Sequence, residues 1–227
     1  MGQAREPGNV AAFADRIEAE LRALPVQNAR NVRALRRKYS RELRHAEARY
    51  VLRLAGELLA RRDCRWMAYD LIGCHKGAFG ALGPADVERL GRGIDSWGSV
   101  DAFARIIAGP VWLNGQLPDS VIHRWARSDD RWWRRAALVG TVALNMRSQG
   151  GPGDAPRTLA VCRVLLADRD DMVVKAMSWA LRALAVREPD AVRRFLADHD
   201  EVLAARAKRE VRNKLATGLK NPRRRRD

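Results

Sequence analysis

The stretch "DDRWWRRAALVG", residues 129–140, returns in altered form as "DDMVVKAMSWAL", residues 170–181, with its acidic pair near position 170, 41 residues on. Each has an acidic start, a large residue about three positions later, then a basic or small residue. "DCRWMAYDLIG" (63–73) carries the same pattern, and "DHDEVLAARAKREV" (198–211) reads as a degenerate fourth copy. Around these segments apolar residues recur at three- and four-residue spacing and alternating β-branched runs are absent, so the chain reads as helix almost throughout. Pro25, Gly77 to Pro84, Gly109–Pro110, Pro118, "QGGPGDAP" (149–156) and Pro189 break it into short elements, about a dozen helices. A period near forty with two helices per unit is the signature of a HEAT-like α-solenoid, whose stacked repeats bury one continuous core and line a concave surface with one helix of each pair. An irregular α-bundle is the alternative, and the matching positions of the breakers favour the solenoid. The expected fold is all-α, a single helical-repeat domain over residues 1–219 followed by a basic tail at 220–227.

Charge is the outlying bulk property. Across 227 residues, 43 Lys and Arg oppose 27 Asp and Glu, a net charge of +16, while an apolar content of 47% is ordinary for a chain with a core. The tail's four arginines and one aspartate supply only three of those charges, leaving +13. Such an excess points to a polyanion, with nucleic acid ahead of an anionic membrane surface. Cys64, Cys74 and Cys162 lack metal-ligand spacing and read as reduced, buried thiols. No apolar run approaches the length of a membrane span, "MGQAREPGNV" lacks a signal-peptide core, and Glu6 stands where a myristoylation site needs a hydroxyl. These features predict a soluble, cytoplasmic, nucleoid-associated protein.

Three helices show what their cores do not use. At about 100° per residue, Val173, Ala176, Met177, Ala180, Leu181 and Leu184 form one apolar arc, and Lys175, Trp179 and Arg182 fall on the opposite side. An aromatic between two cations suits a phosphate backbone with a sugar or base beside it; packing against a neighbouring helix is the other reading. Over 97–107, Val100, Phe103, Ile106 and Ile107 form the core arc, and Trp97, Asp101 and Ala104 share another face with Arg105 nearby. In the third helix Trp132, Trp133, Ala136, Ala137 and Leu144 are the core arc, and Arg131 and Arg135 lie off it. The expected polyanion contacts are Arg131, Arg135, Lys175 and Arg182.

Other chemistry is missing from the motifs. There is no HExxH, CxxC pair, P-loop or GxSxG. "GAFGALG" (77–83) follows no strand and reads as a turn, and His45, His75, His123 and His199 are scattered surface or capping residues. Catalysis would need neither metal nor organic cofactor, and the best-placed carboxylate is Asp101.

"SWGSVD" (96–101), "WWRRAALV" (132–139), "VVKAMSWALR" (173–182) and "AKREV" (207–211) together resemble the AlkD-like DNA glycosylases, HEAT-like repeat proteins of alkylation repair. The resemblance covers roughly residues 50–215. It implies a C-shaped superhelix that clamps duplex DNA in a basic concave groove and excises positively charged N3- and N7-alkylated purines, without cofactor or metal. The implied catalytic set is Asp101 as the carboxylate, with Trp97 and Trp179 flanking the lesion's deoxyribose. Arg135, or else Arg134, is the implied phosphate contact. Where the family often has a second tryptophan this chain has Ser96, Gly98 follows Trp97 where an acidic residue is common, and no tyrosine of the divergent first repeat matches an aromatic that lines the family's cleft, Phe13 being a poor substitute for it. The implied partner is double-stranded DNA with alkylated bases, bound by a monomer away from any membrane. A non-catalytic helical-repeat protein that binds duplex or branched DNA, or RNA, by charge is the runner-up. A protein–protein scaffold is a third reading, against which the +16 charge counts.

Overall fold

The computed structural model describes residues 8–26, 28–61 and 63–222. The N-terminal stretch with Glu6, and Arg223–Asp227 of the basic tail, lie outside the described residues. Every long element among the described residues is helical, as the periodicity requires. They divide into two compact units, one running through Arg92 and the other beginning at Gly93.

The first unit holds α1 (Val10–Arg22), α2 (Ala29–Glu42), α3 (Ala48–Leu59), α4 (Arg65–Cys74), α5 (Lys76–Gly80) and α6 (Pro84–Gly91). Asn9 and Asn28 start α1 and α2 by accepting backbone N–H groups with their side chains, which satisfies donors a helix start leaves free. The core is built from α1, α3 and α4, with Ile17, Leu54, Leu58, Met67 and Ile72 fully buried. Phe13 belongs to this core: it lies edge-on to Tyr39 at 5.6 Å and to Tyr50 at 6.2 Å. The segment read as a glycine turn contains α5, a short helix capped by His75, whose Nδ1 accepts the Ala78 N–H at 2.9 Å. Cys64 is buried as expected, but Cys74, at the end of α4, is exposed.

The second unit is a two-layer stack. One layer sets α7 (Trp97–Phe103), α10 (Arg131–Asn145), α12 (Asp171–Leu184) and α14 (Ala205–Thr217) side by side; the other sets α9 (Asp119–Ala126), α11 (Ala155–Val164) and α13 (Pro189–Asp198) behind them. Alternation of layers along the chain is the arrangement of an α-solenoid. The acidic starts of the repeat are its N-caps: Asp130 accepts the Trp132 N–H, and Asp170 accepts those of Met172 and Val173. The core arc of α12 is buried as read from periodicity, and Cys162 is buried in α11.

One breaker does not break. Gly109–Pro110 sits inside a continuous helical path, because α7 passes through a π turn (Ala104–Ala108) into α8 (Gly109–Leu113). The Gly109 N–H reaches back five residues to the Ala104 carbonyl, a wider turn that accommodates the proline ring. The expected helix therefore extends past residue 107, and the π turn shifts its faces. Ala104, placed by simple periodicity with Trp97 and Asp101, is fully buried. Gly109 is needed for a second reason: a Cβ there would stand 2.6 Å from the Gly140 carbonyl oxygen and 2.8 Å from the Ala143 Cβ of α10. The two helices cross backbone to backbone.

Gly109→Ala is expected to destabilise the protein by about 1–3 kcal/mol, the usual cost of overpacking a fixed contact. Gly98→Ala meets nothing within 4 Å and is expected to be neutral or stabilising by up to about 1 kcal/mol through helix propensity. Thermal or urea unfolding of the two variants beside wild type measures the contrast.

Candidate active site

The site is assembled by repetition. Successive helices of the first layer have their N-caps at Ser96, Asp130, Asp170 and Ala204. The fifth residue after each cap is Asp101, Arg135, Lys175 and Arg209. Helices that pack side by side from equivalent starts bring equivalent side chains together. Asp101 and Arg135 accordingly meet, although 34 residues separate them in the chain.

Their contact is bidentate. Arg135 Nε donates to Asp101 Oδ1 at 2.9 Å and Nη2 donates to Oδ2 at 2.8 Å, the fork geometry a guanidinium offers a carboxylate. Arg135 Nη1 donates to the Met172 carbonyl at 2.5 Å, which ties α7 and α10 to the start of α12. The Arg135 side chain is 7% exposed and that of Asp101 17%. Arg135 was expected off the core as an open cation; instead it is buried, because α7 and α12 flank α10 there. Asp101 faces solvent with what its partner leaves: each oxygen keeps a lone pair.

Trp97 is the first residue of α7. Ser96 and Ser99 cap each other reciprocally, Ser96 Oγ accepting the Ser99 N–H while Ser99 Oγ accepts the Ser96 N–H. This box holds Trp97 outside the helix's buried face, 64% exposed and one turn ahead of Asp101. Burial would normally claim an indole, so its exposure costs apolar transfer energy that the fold does not recover. Ser96, the departure from the family pattern, is thus the cap itself.

Trp179 is half-buried on the side of α12 away from its core arc. The Arg105 guanidinium lies 5.6 Å from its ring centroid, a cation–π contact from the π turn. Sequence reading noted Arg105 and gave it no role, since the π turn that aims it is invisible to a 3.6-residue period. Trp133, read as core, is half-buried, with its ring 4.8 Å from that of the buried Trp125 and 5.9 Å from that of the buried Phe103. Trp132, read as core, is half-exposed beneath the Arg131 guanidinium at 4.8 Å.

The other expected cations divide by what they already hold. Arg134 is committed to structure: Nε donates to Asp168 at 2.8 Å and Nη1 to the carbonyls of Ser128 and Asp129. Arg131 is exposed, with Asp170 at 3.5 Å. Lys175 pairs with Asp171 at 2.6 Å one turn away on α12. Arg182 is half-buried and donates to Ser178 Oγ at 3.1 Å; burial pulls its pKa below the usual guanidinium value, with Glu210 acting the other way. Behind it, Glu210 of α14 is 2% exposed and accepts from Ser178 Oγ at 2.6 Å and Arg206 Nε at 3.2 Å. Burial alone would raise the Glu210 carboxyl, but Ser178, Arg206 and Lys220 hold it below the ordinary value. Sequence reading missed this buried carboxylate, whose only signal was the "AKREV" motif. Among the described residues no cluster of three His, Cys, Asp or Glu side chains could hold a metal ion.

Two outcomes follow from this geometry. Trp133→Ala removes ring contacts to the buried Phe103 and Trp125 and is expected to destabilise more than Trp179→Ala, though by less than the roughly 3–5 kcal/mol of a fully buried aromatic truncation; paired thermal melts read the difference. For Glu210 the folded carboxyl titrates below its unfolded value of 4.5. Its stabilising contribution is therefore fully present above the unfolded value and is lost as pH falls toward the folded one. Glu210→Gln is expected to be less stable than wild type at neutral pH, with a flatter dependence below about pH 4.5, measured as urea midpoints across that range.

The chain and its fold have known relatives. A family model described as DNA alkylation repair enzyme matches residues 2–215. Among solved structures, the "Predicted DNA alkylation repair enzyme from Enterococcus faecalis" aligns with a TM-score of 0.68 over 95% of this chain and 99% of that one, at 17% identity. That likeness speaks for the fold. No curated protein matches the chain at a comparable level. No helix among the described residues is long and apolar enough to cross a membrane. With the family model spanning nearly the whole chain, the protein belongs to the DNA alkylation repair enzyme family.

Proposed function

We propose that the protein is a DNA glycosylase that hydrolyses the N-glycosidic bond of positively charged N3- and N7-alkylated purines in duplex DNA. The observation that carries this reading is the pairing on α7 of an exposed indole, Trp97, with a carboxylate one turn away that Arg135 holds in a single orientation. An alkylated purine of this kind is already cationic, so its departure needs no general acid. As the C1′–N bond breaks, the electron pair leaves with the base and neutralises it, and positive charge develops on the sugar. Asp101 meets that charge electrostatically and orients the water whose oxygen bonds to C1′, the spare proton passing to solvent. Trp97 and Trp179 flank the nucleoside with aromatic faces, which attract a cation by about 0.5–2 kcal/mol according to desolvation. Arg131, Lys175 and Arg182 are the phosphate contacts, and Arg135 acts chiefly by fixing Asp101. Duplex DNA is the partner, engaged by a monomer over residues 1–219 in the compartment that holds the chromosome.

Release of 7-methylguanine and 3-methyladenine from methylated duplex by the purified protein tests the reading. Asp101→Asn keeps an acceptor for Arg135 and is expected to lower the single-turnover rate by about 10²–10³, with duplex affinity nearly unchanged. Equal rates for the two proteins would show that Asp101 takes no part in the chemistry. One observation favours a second reading: Arg135 engages both oxygens of Asp101, as a purely structural ion pair would. Tight duplex binding with no excision of either base would establish that non-catalytic role.

A further inference from the structure

The π turn leaves one backbone group without a partner in its own helix. In an α-helix the Arg105 carbonyl would accept the Gly109 N–H, but that N–H is given to Ala104. In the wider register of the π turn the donor would be residue 110, and Pro110 has no N–H to give. Gln149 supplies the missing bond from another part of the chain. It ends the 3₁₀ turn Arg147–Gln149 that follows α10, and its Nε2 donates to the Arg105 carbonyl at 2.6 Å across 44 residues of sequence. The Gln149 side chain therefore pins the π turn at the point where the proline has weakened it.

What the π turn carries is the Arg105 guanidinium, 5.6 Å from the centroid of the Trp179 ring. Arg105 is half-buried, and among the described residues no carboxylate lies within ion-pair distance of it. Trp179 has no other ring or cation stacked on it among the described residues. The cation has the indole in place of a counter-charge, and the indole, off the core arc of α12, has the cation to hold it. Stability does not account for the arrangement. Arg105 Nε and Gln149 Oε1 are both closed to solvent and without a hydrogen-bond partner among the described residues. Each such atom costs free energy that an apolar side chain of the same length would not. Being closed off, neither atom meets a ligand; the two side chains are placed for what they hold.

We propose that Gln149 and Arg105 are positioning residues that fix the indole of Trp179. Gln149 holds the π turn, the π turn aims Arg105, and the guanidinium holds the ring by cation–π attraction. Neither residue touches the reacting atoms. The effect on rate rests on the proposed glycosylase action, while the fixing of the ring stands on the geometry. An indole already in place spares the ordering cost that a mobile one incurs when the sugar arrives, a factor of about two to ten in rate for one side chain.

The full-length protein carrying fluorotryptophan at its seven tryptophans tests this by fluorine NMR, with the Trp179 resonance assigned by its loss in Trp179→Phe. Arg105→Gln removes the cation and is expected to shift and sharpen that resonance as the ring gains freedom. Gln149→Ala removes the carbonyl's donor while the guanidinium remains, and is expected to produce the same change. Arg105→Lys keeps a cation and is expected to restore most of the wild-type signal. Unmoved resonances of Trp125 and Trp133 report that the second unit stays folded. On N7-methylguanine duplex, Arg105→Gln and Gln149→Ala are expected to lower the single-turnover rate at saturating protein by about two- to tenfold, and Arg105→Lys by less. Duplex Kd and its salt slope are expected to stay as in wild type.

A Trp179 resonance unmoved by Arg105→Gln would overturn the proposal, as would one that moves in Arg105→Gln and stays in Gln149→Ala. A moved resonance with an unchanged rate would overturn the role in the reaction. A log–log salt slope reduced by about 0.9 in Arg105→Gln would make Arg105 a phosphate contact instead. Wild-type protein that excises nothing, while its variants move the resonance as expected, would sink the glycosylase reading and keep the positioning of the ring. Excision by wild type with an unmoved resonance would do the reverse.

Discussion

The bond between Asp101 and Arg135 is the contact on which the second unit is organised. It closes α7 onto α10, and the third guanidinium contact, to the Met172 carbonyl, closes α10 onto α12. A buried guanidinium must satisfy its donors or carry a desolvation penalty of several kcal/mol. Here one carboxylate and one carbonyl do so, each from a different neighbouring helix. The same bond leaves Asp101 rigid and partly open to solvent. A fixed carboxylate stabilises developing positive charge more effectively than a mobile one, because it needs no reorganisation at the moment of reaction. Packing and the proposed chemistry thus draw on one interaction.

Repetition explains why the two groups meet. Equivalent caps start equivalent helices, and side-by-side packing carries residues at one register into a row. The equivalent positions are Asp101, Arg135, Lys175 and Arg209, one carboxylate followed by three cations, and the first two meet directly. The π turn then breaks the regularity after Asp101, turning Ala104 inward and setting Arg105 against Trp179. Insertions of this kind are used where a helix must change the direction of its side chains without ending. The cost is met by Gly109, whose missing Cβ lets α10 approach the widened backbone.

A charge of +16 overstates the positive surface available to a polyanion. Arg134 straps the loop ahead of α10, Arg65 donates to the Arg92 carbonyl, and Arg187 donates to the carbonyls of Asn145 and Gly151. These guanidiniums cap helix ends and loops, work their planar donors do well. Among the described residues, Arg37, Arg41 and Arg44, on and just past α2, are exposed and have no carboxylate within ion-pair distance.

The helical class, the repeat near forty residues and the core arc of α12 were all legible in the sequence, because hydrophobic periodicity and acidic caps are local signals. So was the separation of Trp97, Asp101 and Trp179 from their core arcs, which needs only the angle between residues on a regular helix. Burial of Arg135 was not legible, since a residue off its own helix's apolar arc can still be enclosed by two neighbours. Nor was the fate of Gly109–Pro110, where the proline suggests an end and only contact with Gly140 reveals why the path continues. Cys74 looked like its two buried counterparts until its surroundings placed it beside arginines. The amino-acid order by itself determined which faces are apolar, where helices start and which residues bear chemistry, because these depend on near neighbours in the chain. Which cations are spent on carbonyls, which carboxylate is clamped and which thiol stays exposed were decided by tertiary packing alone, because each depends on groups tens of residues away that only the folded chain brings together.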